Sequence, residues 1–99
     1  MSNKDKNLTK SSLSFEKSMI KLLMSEIEKN GYIFESELVS KLAKKRNVKQ
    51  NVIQNNLRKI RADVYSKYGI ERERLSKELY YELKIKGIYS TKVVLYIKD

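Results

Sequence analysis

Apolar residues recur at three- and four-residue spacing along most of this chain. Phe15, Met19, Ile20, Leu23, Met24 and Ile27 share one helical face and predict a first helix, capped by Ser14 and running to about Lys29. Asn30-Gly31 ends it, and Tyr32-Ile33-Phe34 reads as a short strand at 32–34. Ser36 predicts the cap of a second helix, with Glu37 favourable near its positive end and Leu38, Val39, Leu42 and Ala43 on its core side. That helix stops near Arg46. Asn47-Val48-Lys49 makes a tight connection, and a third helix runs from about Gln50 to Tyr68-Gly69. Stepping this helix at about 100° per residue gathers Ile53, Leu57, Ile60 and Val64 into an arc of about 60°. The opposite face holds Asn51, Asn55, Arg58 and Ala62, flanked by Gln54, Lys59 and Arg61.

The pattern is less decisive beyond Gly69. Residues 71–86 are rich in helix formers, with Leu75, Leu79 and Leu83 four apart, and are expected to be helical. The competing reading makes residues 79–86 a strand that turns through 87–91. Under either reading the C-terminal segment 92–98, with Val93–Ile97 at its centre, is a strand, expected to pair with 32–34 so that its backbone groups are satisfied. Residues 1–13 carry no such pattern and read as a flexible basic tail, in which Lys4, Lys6 and Lys10 would form an arm for phosphates or a minor groove. The fold class expected is mainly α with a small β-sheet, three or four helices over residues 14–99.

Charge sharpens this picture. The net charge is +10 in 99 residues, and between Leu38 and Ala62 there are eight basic residues and no acidic one. This charge falls on segments that also carry core residues, so folding fixes it as a positive surface, the footprint of a nucleic-acid-binding domain. Cys, His and Pro are all absent, which removes disulfides, thiol chemistry, the usual zinc ligands and the commonest general base. No cofactor and no metal are expected. No stretch is long and apolar enough for a membrane span or a signal peptide, so an intracellular, cytoplasmic protein associated with the nucleoid is expected, with no membrane partner.

The order helix, short strand, helix, tight turn, basic helix and C-terminal strand resembles the winged helix-turn-helix DNA-binding superfamily. The resemblance is carried mainly by GYIFESELVSKLAKKRNVKQNVIQNNLRKIRADV, residues 31–64. It implies that 31–34 is the first strand, 36–46 the positioning helix and 50–64 the recognition helix. By the same resemblance Lys49, Gln50, Asn51, Gln54, Asn55 and Arg58 face the major groove and read bases. Two features depart from the pattern: the turn at 47–49 lacks a glycine, although Asn47 tolerates the left-handed geometry, and no Gly-rich hairpin wing is evident.

The residue types suit that role. Asn and Gln amides pair bidentately with adenine and Arg with guanine, each contact discriminating by roughly 1–3 kcal/mol. Lys41, Lys44, Lys45, Arg46, Lys59 and Arg61 read as phosphate contacts, which supply affinity and salt dependence but no sequence choice. Tyr65, Tyr68, Tyr80, Tyr81, Tyr89 and Tyr96 would stack on unpaired bases if exposed, or else sit half-buried with a wet hydroxyl. The stripe Leu75, Leu79, Leu83 is either core or the seam of a homodimer through 71–86.

Catalysis is not expected. Asp63, Glu71, Glu73, Glu78 and Glu82 read as ion-pair partners on helical surfaces, and no nucleophile–base pair or Gly-rich phosphate loop is present. The expected function is that of a small, non-enzymatic, sequence-selective transcriptional regulator on duplex DNA, reading it with the helix at 50–67. The alternatives are a single-stranded-DNA accessory protein of replication or recombination on a mobile element, and a winged-helix protein–protein adaptor.

Overall fold

In the computed structural model the backbone is described for residues 3–98 and side chains for 14–98. The elements run α1 (Asn3–Asn30), β1 (Ile33–Phe34), α2 (Glu35–Arg46), α3 (Gln50–Lys67), β2 (Ile70–Arg74), α4 (Lys77–Glu82) and β3 (Val93–Ile97). The architecture is mainly helical with one small antiparallel sheet, as the hydrophobic pattern predicts. Strand order is β1-β3-β2, so the C-terminal strand is central. Ile33 and Phe34 pair with Leu95 and Val94, the pairing expected for the two strands legible in the sequence.

Central β3 is buried on both faces, and this organises the molecule. On one side Leu95 and Ile33 join Met19, Leu23, Leu38, Leu42, Ile53, Leu57 and Val64 in a core between the sheet and the helices α1–α3. On the other side Val94 and Tyr96 meet Leu75, Leu79 and Ile85, with Phe34, Tyr80, Leu83 and Tyr89 packed around them. The strand alternation thus feeds two cores, with α4 and its flanking segments covering the face that α1–α3 leave bare.

Local stops are placed by the residues that tolerate them. Asn47 takes φ 55°, ψ 49°, the left-handed geometry allowed for it, and lets Val48 N–H reach back to the Ala43 carbonyl at 3.0 Å. Gly69, at φ 67°, turns the chain from α3 directly into β2.

Three expectations are corrected here. Ser14 lies inside α1, whose backbone is already helical from Asn3; no Gly or Pro interrupts 3–13. The side chains of that segment, including Lys4, Lys6 and Lys10, lie outside the described residues. Helix α2 starts one residue before Ser36: Phe34 occupies the cap position without a side-chain bond, and Glu35 is the first helical residue. Residues 71–86 are neither one helix nor the strand 79–86. Ile70–Arg74 forms the strand, because the second edge of β3 needs backbone partners, and pairing with it outweighs the helical preference of Glu and Arg. Helix α4 begins only after Ser76, whose hydroxyl accepts from Leu79 N–H at 3.1 Å. The leucine stripe is core: Leu75 and Leu79 are buried and Leu83 is half-buried in the second cluster.

Candidate nucleic-acid interface

The surface begins with the two helices on either side of the Asn47 turn. Leu38, Val39, Leu42 and Ala43 hold α2 in the core, and Ile53, Leu57, Val64 and Tyr65 do the same for α3. With those faces fixed, Lys49, Gln50, Asn51, Gln54, Asn55 and Arg58 are all exposed. They do not share one direction. At about 100° per residue, Asn51, Asn55, Arg58 and Ala62 span an arc of about 60° pointing away from the core. Gln54 and Gln50 lie about 40° and 80° beyond one edge of that arc and line a cleft.

That cleft, of about 350 Å³, is bounded by Glu35, Ser36, Val39, Gln50, Gln54, Arg72, Lys92 and Val93. Two cations in its wall are pre-positioned. Arg72 donates to Glu35 from Nε at 2.9 Å and from Nη2 at 3.2 Å, a bidentate fork. Lys92 sits 5.5 Å from the centroid of the Phe34 ring.

Glu35 is the most connected polar residue of the site. It is only 7% exposed and also accepts from Arg61 Nη1 at 3.1 Å and from the Tyr65 hydroxyl at 3.0 Å. One carboxylate thereby ties α2, α3 and β2 together. Its hydrogen bonds to Arg72 raise the guanidinium pKa, and burial, reinforced by the Glu35 charge, raises that of Tyr65.

The expected phosphate contacts divide into two groups. Lys44, Lys45 and Lys59 are exposed and form no ion pair among the described residues. The other three are engaged internally. Arg61 is half-buried on Glu35. Arg46 is half-buried, 5.4 Å from the Phe15 ring centroid and donating from Nη1 to Ser18 Oγ at 3.4 Å. Lys41 is exposed but donates to Glu26 on α1; this contact raises the Lys41 pKa and lowers that of Glu26. A cation already shared with a carboxylate releases fewer counterions when it meets a phosphate, so Lys41 and Arg61 contribute less than residue type implies.

The tyrosines are corrected in the same way. Tyr65 and Tyr96 are buried, their hydroxyls donating to Glu35 and Glu73, and present no ring face to a base. Tyr80 and Tyr89 are half-buried, donating to the backbone oxygens of Gly87 and Leu75. Tyr68 and Tyr81 are exposed, Tyr81 at 74%.

Glu35, Arg72 and Lys92 escaped sequence reasoning. Glu35 precedes Leu38, Val39 and Leu42 by three, four and seven residues, so helical spacing alone places it on the buried stripe. Arg72 and Lys92 leave no local signal, because a strand pairing unseen in the sequence brings them to the cleft. Among the described residues no cluster suits a metal ion, and no helix is long and apolar enough to cross a membrane. Comparison of the chain with family models, with curated proteins and with solved structures finds no match in any of the three.

Proposed function

We propose that this chain is a non-enzymatic, winged-helix-like protein that binds duplex DNA, inserts α3 into the major groove and acts as a small sequence-selective transcriptional regulator. The observation that carries the proposal is the outward face of α3. Asn51, Asn55 and Arg58 stand exposed between Lys44, Lys45, Lys49 and Lys59, with no acidic residue from 38 to 62. Amides and a guanidinium provide bidentate donors and acceptors for base edges, and the lysines around them supply the attraction to phosphates. Ala62, also exposed on that face, allows the backbone to approach closely.

The element order supports the same reading. The helices α2 and α3 meet at a tight turn, and an antiparallel β2–β3 pair follows with a long connection where a wing would lie. The connection contains α4 and is not a short Gly-rich hairpin. Lys92, in the cleft beside α3, adds a backbone-phosphate contact on one flank of the groove, and Arg72, shared with Glu35, adds a weaker one.

The single-stranded alternative draws on stacking, and the burial of Tyr65 and Tyr96 removes two of its six rings. Fluorescence anisotropy with duplex and single-stranded DNA of equal length, each at 50 and 200 mM salt, separates the readings. If Lys44, Lys45, Lys49 and Lys59 each neutralise one phosphate, duplex affinity falls about a hundredfold between those salts, from a slope of roughly −0.9 per contact. Preference for single strands would overturn the duplex assignment. No binding to either would move the chain to the adaptor class.

A further inference from the structure

Two valines occupy a surface whose other residues are polar. Val48, in the turn before α3, and Val52, in its first turn, are 41% and 44% exposed. Packing does not account for them, since the core side of α3 is taken by Ile53, Leu57 and Val64. Helix propensity does not either, because β-branched side chains lose χ1 freedom in a helix. In projection Val52 falls between Asn55 and Asn56 and beside Lys59, and Val48 lies in the turn just before the N-cap Lys49.

We infer that Val48 and Val52 contact the C5 methyl groups of thymines in the major groove, so that this surface selects A·T-rich duplex DNA. The inference rests on the proposed function and adds the class of sequence to it. Thymine is the one base that presents a methyl group in the major groove, and adenine, its partner, presents the N6/N7 pair that suits Asn and Gln. On and beside this face Asn51, Gln54 and Asn55 suit adenine, whereas Arg58 and, among the base-reading residues, Lys49 are matched to guanine. Amides and valines thus address the two halves of one base pair. The surrounding lysines make an acidic duplex, and not an apolar protein surface, the complementary partner.

The test uses three 20-base-pair duplexes of alternating sequence: dA·dT, its dA·dU analogue and dG·dC. Replacing thymine by uracil removes the methyl group and leaves charge and hydrogen-bonding edges intact. Burial of one methyl group corresponds to about a fourfold change in affinity. Wild-type protein is expected to bind dA·dT more tightly than dG·dC, and to lose about four- to tenfold on dA·dU. Val52→Ala, which favours the helix, is expected to lose about fourfold on dA·dT and to respond less than wild type to the loss of the methyl groups. Equal wild-type affinity for dA·dT and dA·dU would overturn the methyl contact and leave duplex binding standing. An equal loss by Val52→Ala on both probes would overturn it too. Absence of binding to all three duplexes would overturn the proposed function, and this inference with it.

Discussion

Replacing Glu35 by glutamine keeps the shape of the side chain and deletes the charge on which two arginines and a tyrosine converge. The wild-type carboxylate accepts four hydrogen bonds, from Arg61, Tyr65 and twice from Arg72. A glutamine amide accepts on one side only, and its NH₂ group opposes donors on the other. Breaking a fully buried ion pair by removing one partner costs about 3–5 kcal/mol. Here Arg61 and Arg72 keep 26% and 37% of their side-chain surface exposed, so water relieves part of the cost. The expected destabilisation is about 2–4 kcal/mol, a large share of the roughly 5–15 kcal/mol that holds a domain of this size. Urea unfolding followed by circular dichroism reads it as a lower midpoint at unchanged slope. The double variant Glu35→Gln/Arg72→Gln should be less destabilised than the sum of the single variants, because the two residues share one network. The same substitution removes a negative charge and frees Arg72 at the cleft, so duplex affinity at low salt should rise as stability falls. A Glu35→Gln protein within about 0.5 kcal/mol of wild type, or strict additivity in the double variant, would refute the hub.

Three further outcomes are expected. Asn51→Ala and Arg58→Ala should relax sequence preference, whereas Lys44→Ala should weaken all duplexes alike and reduce the salt slope by about 1, as binding-site selection and salt titration would reveal. Leu57→Ala, at a fully buried position shared by α3 and the main core, should cost about 2–5 kcal/mol in a denaturant melt. Burial and the Glu73 hydrogen bond push the Tyr96 pKa from 10.0 up to about 12, and that of Tyr65 is raised as well. Both folded values exceed the unfolded one, so their contribution is complete below pH 10 and for Tyr96 is lost as pH rises toward about 12. Absorbance titration at alkaline pH should show these two hydroxyls ionising late and together with unfolding; early ionisation of all seven tyrosines in a folded protein would contradict the burial.

Helices α2 and α3 were legible because one periodicity served both prediction and packing. Leu38 to Ala43 and Ile53 to Val64 lie on the predicted faces, and the ends at Arg46 and near Tyr68 follow from Asn47 and Gly69. Strand β2 was not, since its alternation pairs Glu with Arg instead of apolar with polar, and hydropathy is blind to that. The charge of the interface was readable residue by residue, yet its availability was not. Arg61 looks identical to Lys59 in sequence, and only the fold sets one against Glu35 and leaves the other exposed. The tyrosines divide for the same reason, because the second face of β3 draws Tyr96 inward against α4.

The outer strand β2 has one more consequence. Its free edge is written Ile70-Glu71-Arg72-Glu73-Arg74, with Glu71 and Glu73 on one face and Arg72 and Arg74 on the other. Opposed residues of neighbouring strands always share a face. If a second copy docks edge to edge with its helices on the same side, every register sets glutamate against glutamate and arginine against arginine. Like charges directly opposite repel, so the sheet refuses extension by its own kind. A small, strongly charged domain is thereby kept from growing into a fibre through this edge.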